Sequence, residues 1–268
     1  MQSSFSETTI HPTSVVSLKA KIGKGVFIGP FCVIGDNVTI GDGTYLQSHV
    51  SLDGWTIIGS HCRIYSHAVI GGEPQDLKYK GGESYVIIGD NTVIREFVTV
   101  NRGTLVGDKT IIGSYNLLMA YVHVAHNCVM GDHIVMANSA TLAGHVTLES
   151  YAIIGGLSGI HQFVKVGAYS LIGGCSKVTQ DVPPYIKADG HPVVPHGLNS
   201  LGLKRNGFSD ENIAHLKHAY KLLYRSNLPL EQSMAQIEQE CGNSDEVKHF
   251  IEFIRDSQSS AHHRGICR

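Results

Sequence analysis

The sequence predicts a mainly β protein, a parallel β-helix of hexapeptide repeats followed by a small C-terminal α-helical domain. The first observation is a period of six: of the twenty-nine positions reached in steps of six from Ile10 to Val178, twenty-seven are Ile, Val, Leu or Met. The second is that the residue two places before each of these anchors is mostly small, and the third is that Gly often follows the anchor directly. A strict period of six fits neither an α-helix nor a simple amphipathic strand and is typical of a hexapeptide solenoid.

Each hexad predicts one short strand and one corner of a prism. The large anchor fills the interior, the small residue packs beside it, and Gly allows positive φ at the corner. Three hexads make one coil of eighteen residues. We expect successive coils to hydrogen-bond to each other at a spacing of about 4.8 Å and to bury one another's anchors.

Asp76 and Gly82 are the two positions that break the series. Ile70 and Ile88 lie eighteen residues apart, so the frame resumes in register after the break. We therefore predict an excursion loop at 71–87 that leaves the prism. Its Asp, Lys and Tyr content favours contact with a polar ligand, because a long loop in a compact fold is usually functional.

The repeat stops after Val178, where four prolines predict an irregular connector. We assign the β-helix to 1–190 and the C-terminal helical domain to 191–268. Three helix starts are predicted after the connector. Each is a residue that caps a helix N-terminus or suits its first turn, and each is followed by apolar residues at helical spacing. They lie at Ser209, Pro229 and Ser244.

Composition excludes several classes of protein. The 268-residue chain carries a net charge of −2 with His neutral, which gives no global attraction for nucleic acid. It has no apolar run of membrane length, and residues 1–9 lack the features of a signal peptide, so we expect a cytoplasmic protein without stable membrane insertion. Cys32, Cys62 and Cys128 fall on the small-residue position of the hexad, which predicts buried free thiols in a reducing compartment.

Histidines gather along one outer edge of the predicted prism. His126, His145 and His161 lie on successive coils, and the residue one coil beyond His126 is Gly144, which has no side chain to cover it. Such a cluster has two chemical uses: several imidazoles bind zinc, or one imidazole acts as a general base near neutral pH. Coils about 5 Å apart make convergence of three ligands awkward within one chain, although a subunit interface could restore it. The residues alone leave both uses open.

Nine short motifs, spread over the whole chain, carry a resemblance to a known family. They are QDLKY at 75–79, RGT at 102–104, NLLM at 116–119, HVAH at 123–126, TLAGHV at 141–146, HQF at 161–163, GGCS at 173–176, QDVPPY at 180–185 and GLKR at 202–205. With them the chain resembles the acyl-carrier-protein:UDP-N-acetylglucosamine O-acyltransferases. The resemblance implies a left-handed β-helix and a homotrimer with active sites between subunits. It also implies transfer of a 3-hydroxyacyl chain from acyl carrier protein to the glucosamine 3-position of UDP-N-acetylglucosamine, the first step of lipid A biosynthesis, without a cofactor or metal.

The resemblance further implies roles for individual residues. His126 corresponds to the general base, and the N–H of Gly144 corresponds to a donor that stabilises the oxyanion. Gly174 corresponds to the position that sets the depth of the acyl-chain site, where Gly leaves room for a long chain. The positions implied to bind the sugar nucleotide or to line its cleft are Asp76, Lys78, His123, His145, His161, Gln162, Asn199 and Arg205.

Four positions depart from relatives in that family. Asn127 follows the base where some relatives have an acidic residue, so the resemblance assures no carboxylate to orient His126. Leu201 and Asn206 replace an acidic and a basic residue near the nucleotide end. Asn101 stands where certain members have His, in a region that bears on whether the acceptor is a 3-hydroxyl or a 3-amino group.

Acyl carrier protein is strongly acidic, so its docking requires a local basic surface. Lys217, Lys221 and Arg225 recur at four-residue spacing and therefore share one face of a predicted helix. Together with Lys204 they form the predicted docking surface.

Three alternative functions compete with this one. A related N-acyltransferase of the same pathway carries a uridine-binding domain before its repeats, whereas here the repeats start at Ile10. A second alternative is a zinc hydratase on the same fold. It requires bound metal, and analysis of the purified protein for metal would distinguish it. A purely structural solenoid is disfavoured by the helical domain and the His cluster.

Overall fold

The structure is a computed structural model that describes residues 7–259, 262 and 264–268. The prediction that the chain lacks a signal peptide concerns residues 1–9, of which 1–6 lie outside the described part. The predicted fold class is confirmed: a left-handed parallel β-helix precedes a group of α-helices. Most strands are two residues long, because each face of the prism is short and a corner follows it.

The strands follow one another at the spacing of the hexads. Up to the excursion loop they are β1 (Thr9–Ile10), β2 (Val15–Val16), β3 (Lys21–Ile22), β4 (Phe27–Ile28), β5 (Val33–Ile34), β6 (Thr39–Ile40), β7 (Tyr45–Leu46), β8 (Ser51–Leu52), β9 (Trp55–Ile58), β10 (Arg63–Ile64) and β11 (Val69–Gly72). After that loop come β12 (Tyr85–Ile88), β13 (Val93–Ile94) and β14 (Thr99–Asn101). The remaining strands of the prism are β15 (Lys109–Ile112), β16 (Leu117–Leu118), β17 (His123–Val124), β18 (Val129–Met130), β19 (Val135–Met136), β20 (Thr141–Leu142), β21 (Thr147–Leu148), β22 (Ile153–Ile154), β23 (Gly159–Ile160), β24 (Lys165–Val166), β25 (Leu171–Ile172) and β26 (Lys177–Val178).

Three parallel sheets form the faces of the prism, and each contains every third strand. One face runs from β1 through β4 and β7 to β25, a second from β2 through β5 to β26, and the third from β3 through β6 to β24. Ile28 pairs with Leu46 and Leu46 pairs with Ile64, so one coil advances the chain by eighteen residues.

Two insertions interrupt this eighteen-residue step. Ile58 pairs with Ile88, thirty residues later, because the excursion loop adds twelve residues. Ile88 pairs with Ile112, twenty-four residues later, so a second insertion adds six. Val106 lies in this second insertion and is 75% exposed, so the prediction that it is a core anchor is wrong. Both insertions are multiples of six, and the period therefore continues through them.

The apolar core runs along the inside of the prism. Apart from Val106, every anchor from Ile28 onward is buried. Ile10 is 44% exposed, because within the described residues β1 pairs with a coil on one side only. The predicted free thiols of Cys32, Cys62 and Cys128 are confirmed as buried and unpaired.

The predicted irregular connector is confirmed only for 179–185, between the last strand of the prism and a hairpin that follows it. β27 (Ile186–Gly190) pairs parallel with β25, and β28 (Val193–Leu198) pairs antiparallel with β27. Pro192 and Pro195 do not mark irregular structure as predicted. Pro192 lies in the turn of the hairpin, and Pro195 lies in an edge strand next to a register shift, where a missing N–H is tolerated. The assigned boundary between 190 and 191 falls in the turn of this hairpin.

In the described part of the chain, four helices follow the hairpin: α1 (Ser200–Arg205), α2 (Asp210–Arg225), α3 (Leu230–Cys241) and α4 (Asp245–Ser259). The three predicted helix starts are confirmed, and the hydroxyl of Ser209 caps α2 by accepting the N–H of Asn212 at 3.0 Å. Helix α1 was not predicted from the sequence, because it has only six residues and contains Gly202. Within the described residues no helix is both long enough and apolar enough to span a membrane.

Polar contacts join α4 to the β-helix. The carboxylate of Asp181 is buried and accepts the N–H of Lys165 at 2.7 Å and the hydroxyl of Ser257 at 2.6 Å. His249 of α4 lies 3.0 Å from the Glu149 carboxylate and 2.7 Å from the hydroxyl of Tyr185. These contacts hold the helices against the last coils.

Candidate active site

The candidate site lies at one corner of the prism, where successive coils place Asn127, His145 and Phe163 above one another. Each of the three has positive φ, between 60° and 68°, which turns the chain from one face to the next. The ring of His145 stacks on that of Phe163 at 4.8 Å and meets the ring of His126 edge to face at 5.2 Å. The corner therefore brings two of the predicted histidines into direct contact.

His126 lies over Gly144, as the spacing of one coil predicts. A Cβ atom added to Gly144 would be 2.6 Å from His126 Nε2, a distance that real side chains do not tolerate. The imidazole is 9% exposed within the single chain. Gly144 thus provides the space that the ring of His126 occupies.

Asn127 contacts the Nδ1 edge of the His126 ring and is itself held by residues of the second insertion. Asn127 Oδ1 lies 3.0 Å from His126 Nδ1 and also accepts the N–H of Thr104 at 3.1 Å. Asn127 Nδ2 donates to the carboxylate of Asp108 at 2.8 Å. Asn127, the neighbour of His126 in sequence, carries no carboxylate itself but is hydrogen-bonded to the carboxylate of Asp108.

Two neighbouring histidines are biased toward the neutral form. Burial lowers the pKa of His123, with a further contribution from the charge of His126, and its Nδ1 lies 2.7 Å from the Thr99 hydroxyl. Burial and His126 also lower the pKa of His145, while the carboxylates of Asp108 and Asp76 act in the opposite direction. Neutral imidazoles around His126 can donate or accept hydrogen bonds with a polar substrate.

Asp76 and Lys78 lie in the excursion loop. The N–H of Lys78 donates to Asp76 Oδ1 at 2.9 Å, which shapes the loop around the carboxylate. Arg102 anchors this loop: its guanidinium is buried and donates to the carbonyl of Gly71 and to the hydroxyl of Tyr79, both at 2.9 Å. The loop therefore has a defined base against the prism.

Gln162 and His161 follow one coil beyond Gly144. The N–H of Phe163 donates to the carbonyl of Gly144 at 3.2 Å, a register that places half-buried Gln162 above Gly144. His161 is exposed, and its Nδ1 lies 3.2 Å from the carbonyl of Gln162. Among the described ring contacts, His161 does not join His126 and His145, so the structure brings together two of the three histidines of the predicted edge.

The predicted nucleotide residues lie at α1. Asn199 caps this helix: its Oδ1 accepts the N–H of Gly202 at 3.2 Å, and its Nδ2 donates to the carbonyl of Tyr169 at 2.9 Å. Arg205 is exposed at the last position of α1. Within this chain Asn199 therefore orients the helix that carries Arg205.

Gly174 lies on the surface above Gly156 of the preceding coil. A Cβ added at Gly174 would be 3.3 Å from the carbonyl oxygen of Gly156, and φ at this position is not positive. The two stacked glycines make a strip of surface without side chains.

The sequence analysis missed Thr104 and Asp108 as parts of the site. Their insertion reads as an ordinary hexad, with small Thr104 two places before Val106 and Gly107 directly after it. The pattern offered no signal that could separate it from a strand of the prism. In the part of the chain that the structure describes, no group of three or more His, Cys, Asp or Glu side chains is arranged to hold a metal ion.

Two family descriptions match the chain: "UDP N-acetylglucosamine O-acyltransferase; Domain 2" over residues 181–267, and "GMPPB C-terminal domain" over residues 9–116. Among curated proteins, the acyl-[acyl-carrier-protein]–UDP-N-acetylglucosamine O-acyltransferase of Thermodesulfovibrio yellowstonii is 52% identical over 260 residues, which cover 97% of this chain and 99% of the relative. The protein of the same name from Xanthomonas oryzae is 45% identical over 94% of this chain and 96% of its own length.

Solved structures agree with these matches. The UDP-N-acetylglucosamine acyltransferase of Bacteroides fragilis superposes with a TM-score of 0.93 at 41% identity, covering 97% of this chain and all of that one. The corresponding protein of Acinetobacter baumannii gives a TM-score of 0.91 at 44% identity, covering 97% of this chain and 99% of that one. The resemblance stated from the motifs is confirmed, and the chain belongs to the family of acyl-[acyl-carrier-protein]–UDP-N-acetylglucosamine O-acyltransferases.

Proposed function

We propose that this protein transfers a 3-hydroxyacyl chain from acyl carrier protein to the glucosamine 3-position of UDP-N-acetylglucosamine, as the first enzyme of lipid A biosynthesis. The names of its relatives supply the substrates. The observation that carries the mechanism is the placement of His126, whose Nδ1 faces Asn127 and whose Nε2 lies over Gly144.

In this mechanism His126 acts as the general base. Its Nε2 takes the proton of the sugar 3-hydroxyl while that oxygen attacks the thioester carbonyl. The N–H of Gly144 donates to the oxyanion of the tetrahedral intermediate. When the carbon–sulfur bond breaks, the imidazolium returns its proton to the leaving thiolate of the carrier. The products are the ester and free carrier thiol, so the base is regenerated.

The remaining predicted residues would bind the sugar nucleotide. Lys78 and Arg205 are exposed cations suited to the diphosphate, and a guanidinium fork fits phosphate oxygens. The Asp76 carboxylate would accept hydrogen bonds from the sugar hydroxyls, and the Gln162 side chain would accept or donate them. The histidines at 123, 145 and 161 would line the cleft.

We further propose that the protein is a cytoplasmic homotrimer with sites between subunits. The single chain exposes a ladder of rings in contact along one corner, formed by Phe31, His49, His67, Phe97 and Tyr121. Phe31 is 55% exposed and Tyr121 is 59% exposed. Packing against neighbouring subunits would remove this apolar surface from water.

The test is an acyl-transfer assay with purified protein, UDP-N-acetylglucosamine and 3-hydroxyacyl carrier protein. His126→Ala should lower kcat by at least about 100-fold, the scale of general-base catalysis, with no loss of fold. His133→Ala is the matched control, because His133 stacks between Tyr115 and Tyr151 away from the site. Near-normal turnover in folded His126→Ala protein would refute this mechanism.

A second assay separates acyl transfer from zinc-dependent hydration on the same fold. Activity should survive exhaustive chelation, because the mechanism uses a base and an oxyanion donor. Stoichiometric zinc that leaves together with activity, and restores it on return, would instead support the hydratase.

A further inference from the structure

The side chain of Asn127 lies between His126 and Asp108, and the chemistry of its neighbours sets its orientation. The N–H of Thr104 can only donate, and it lies 3.1 Å from Asn127 Oδ1. The ionised carboxylate of Asp108 can only accept, and its Oδ2 lies 2.8 Å from Asn127 Nδ2. The amide is therefore held with its oxygen toward Thr104 and His126 and its nitrogen toward Asp108.

This orientation selects the tautomer of His126. Asn127 Oδ1 accepts hydrogen bonds and cannot donate one, so the proton on the neutral imidazole must lie on Nδ1, 3.0 Å away. The lone pair is then on Nε2, the atom that lies over Gly144. A general base at this position needs that lone pair.

Asp108 is suited to hold the amide across neutral pH. Burial opposes its ionisation, but hydrogen bonds from the Asn127 side chain, the N–H of Leu105 and the hydroxyl of Thr104 hold the pKa of this carboxyl below its ordinary value. The N–H of Leu105 lies 3.0 Å from Asp108 Oδ2, and the hydroxyl of Thr104 lies 3.3 Å from it. An ionised Asp108 remains a hydrogen-bond acceptor.

We propose that Asp108 is a positioning residue for the general base: acting through Asn127, it holds His126 in the Nδ1–H tautomer and stabilises the imidazolium that forms during proton transfer. The proposal rests on the proposed role of His126. The carboxylate comes from the six-residue insertion rather than from the residue next to the base. Asn127 suits the linking position, because Asn tolerates the φ of 60° found there and offers both an acceptor and a donor.

A purely structural role for Asp108 makes different predictions. The same carboxylate closes the insertion by accepting the N–H of Leu105, and a side chain on Gly103 would collide with Asp108. If closure were its whole role, removing the charge would lower the unfolding temperature and leave the pH dependence of turnover unchanged. A positioning role changes the pH dependence.

Asp108→Asn tests the charge while keeping the shape, because the carbonyl oxygen of the introduced amide can still accept from Asn127. We expect kcat to fall about tenfold with little change in KM for UDP-N-acetylglucosamine. The acid limb of the pH profile of kcat should move to lower pH, because a neutral partner stabilises an imidazolium less than a carboxylate does. Asp132→Asn is the matched control: Asp132 accepts the N–H of Ser114 at 2.6 Å on another corner, and its substitution should leave the profile unchanged.

An exchange of the two side chains provides the second test. Asn127→Asp alone places its carboxylate within hydrogen-bond distance of the Asp108 carboxylate. Because like charges repel, this variant should have a lower kcat than Asp108→Asn. Asn127→Asp combined with Asp108→Asn puts a carboxylate directly on His126 Nδ1 and an amide behind it. We expect this double variant to recover to within about threefold of the wild-type kcat, above either single variant.

The outcomes separate this inference from the proposed function. Unchanged kcat and pH profile in folded Asp108→Asn, or a double variant no better than the better of the two single variants, overturns the role of Asp108. If His126→Ala is inactive in the same assays, the proposed function survives that result. Full activity of His126→Ala overturns both.

Discussion

The imidazole of His126 occupies the space that a side chain at Gly144 would fill. A Cβ at Gly144 would lie 2.6 Å from Nε2 and 3.1 Å from Nδ1 of this ring. The backbone ladder fixes the separation of the two residues, since the N–H of His145 donates to the carbonyl of His126 at 3.0 Å. The observed position of the His126 ring therefore requires Gly at 144, because the hydrogen-bonded coils leave no room for a larger residue.

Gly144→Ala should lower kcat by about tenfold or more. The new methyl group would collide with the His126 ring and displace it from its position for catalysis. The φ of Gly144 is not positive, so the backbone itself tolerates Ala. Steady-state kinetics, with circular dichroism to verify the fold, measure the effect. Gly159→Ala is the control, since a Cβ there meets nothing within 4 Å and should leave kcat near the wild-type value.

Gly174→Met should shift the preferred acyl donor to shorter chains, by about two carbons or more. Each methylene excluded from an apolar site costs about 0.8 kcal/mol of binding, so a long chain loses most. Competition between donors of graded length measures kcat/KM for each one. Gly174→Ala should give a smaller shift in the same direction, and an unchanged preference in Gly174→Met would place the end of the acyl site elsewhere.

Charge reversal of Lys221 and Arg225 to Glu should raise KM for the acyl carrier protein substrate and leave KM for UDP-N-acetylglucosamine nearly unchanged. Both side chains lie on α2 with Lys217, and Lys217 and Lys221 are exposed, whereas Lys204 pairs with Asp210 at 2.9 Å. The wild-type KM for the carrier should also rise with salt, because screening weakens attraction between exposed charges.

Lys21→Glu is the control for this experiment, because Lys21 is exposed in β3 near the other end of the β-helix. It changes the net charge without touching α2. The control exchanges one charge and the test variant two, so a rise in KM as large per exchanged residue in the control as in the test variant would indicate an effect of total charge rather than a docking surface on α2.

The contact between His249 and Glu149 should make stability depend on pH. The hydrogen bond to Glu149 raises the pKa of His249, burial opposes the rise, and the charges of Glu149 and Glu252 add to it. A group with a raised folded-state pKa contributes stability below its unfolded pKa of about 6.5 and loses that contribution as pH rises through the folded value.

Glu149→Gln removes the charge that drives this shift. The unfolding temperature of wild type should exceed that of the variant by more at about pH 6 than at about pH 8.5, because the imidazolium is more populated at the lower pH. Differential scanning calorimetry at the two pH values measures it, and Glu252→Gln serves as a control with a smaller effect. A difference that is constant with pH would show that the contact does not titrate.

The period of six allowed the β-helix to be predicted from sequence, because each hexad buries its own anchor against the next coil. Prediction needed no long-range information: a step of eighteen residues identifies which side chains stack, and it correctly placed His126 over Gly144. The helix starts at Ser209 and Ser244 were likewise local, since capping residues act on the turn that follows them.

The contacts of Asn127, Asp108 and Asn199 could not be predicted in this way. The insertion that carries Asp108 is six residues long, so it keeps the period and reads as another strand until pairing of Ile88 with Ile112 reveals the extra length. Asn199 gains its partners through the fold of the hairpin and α1. The repeat determines the spacing of the coils and therefore which of their side chains stack. The position of the Asp108 carboxylate, in an insertion outside the prism, depends on the three-dimensional packing of the chain.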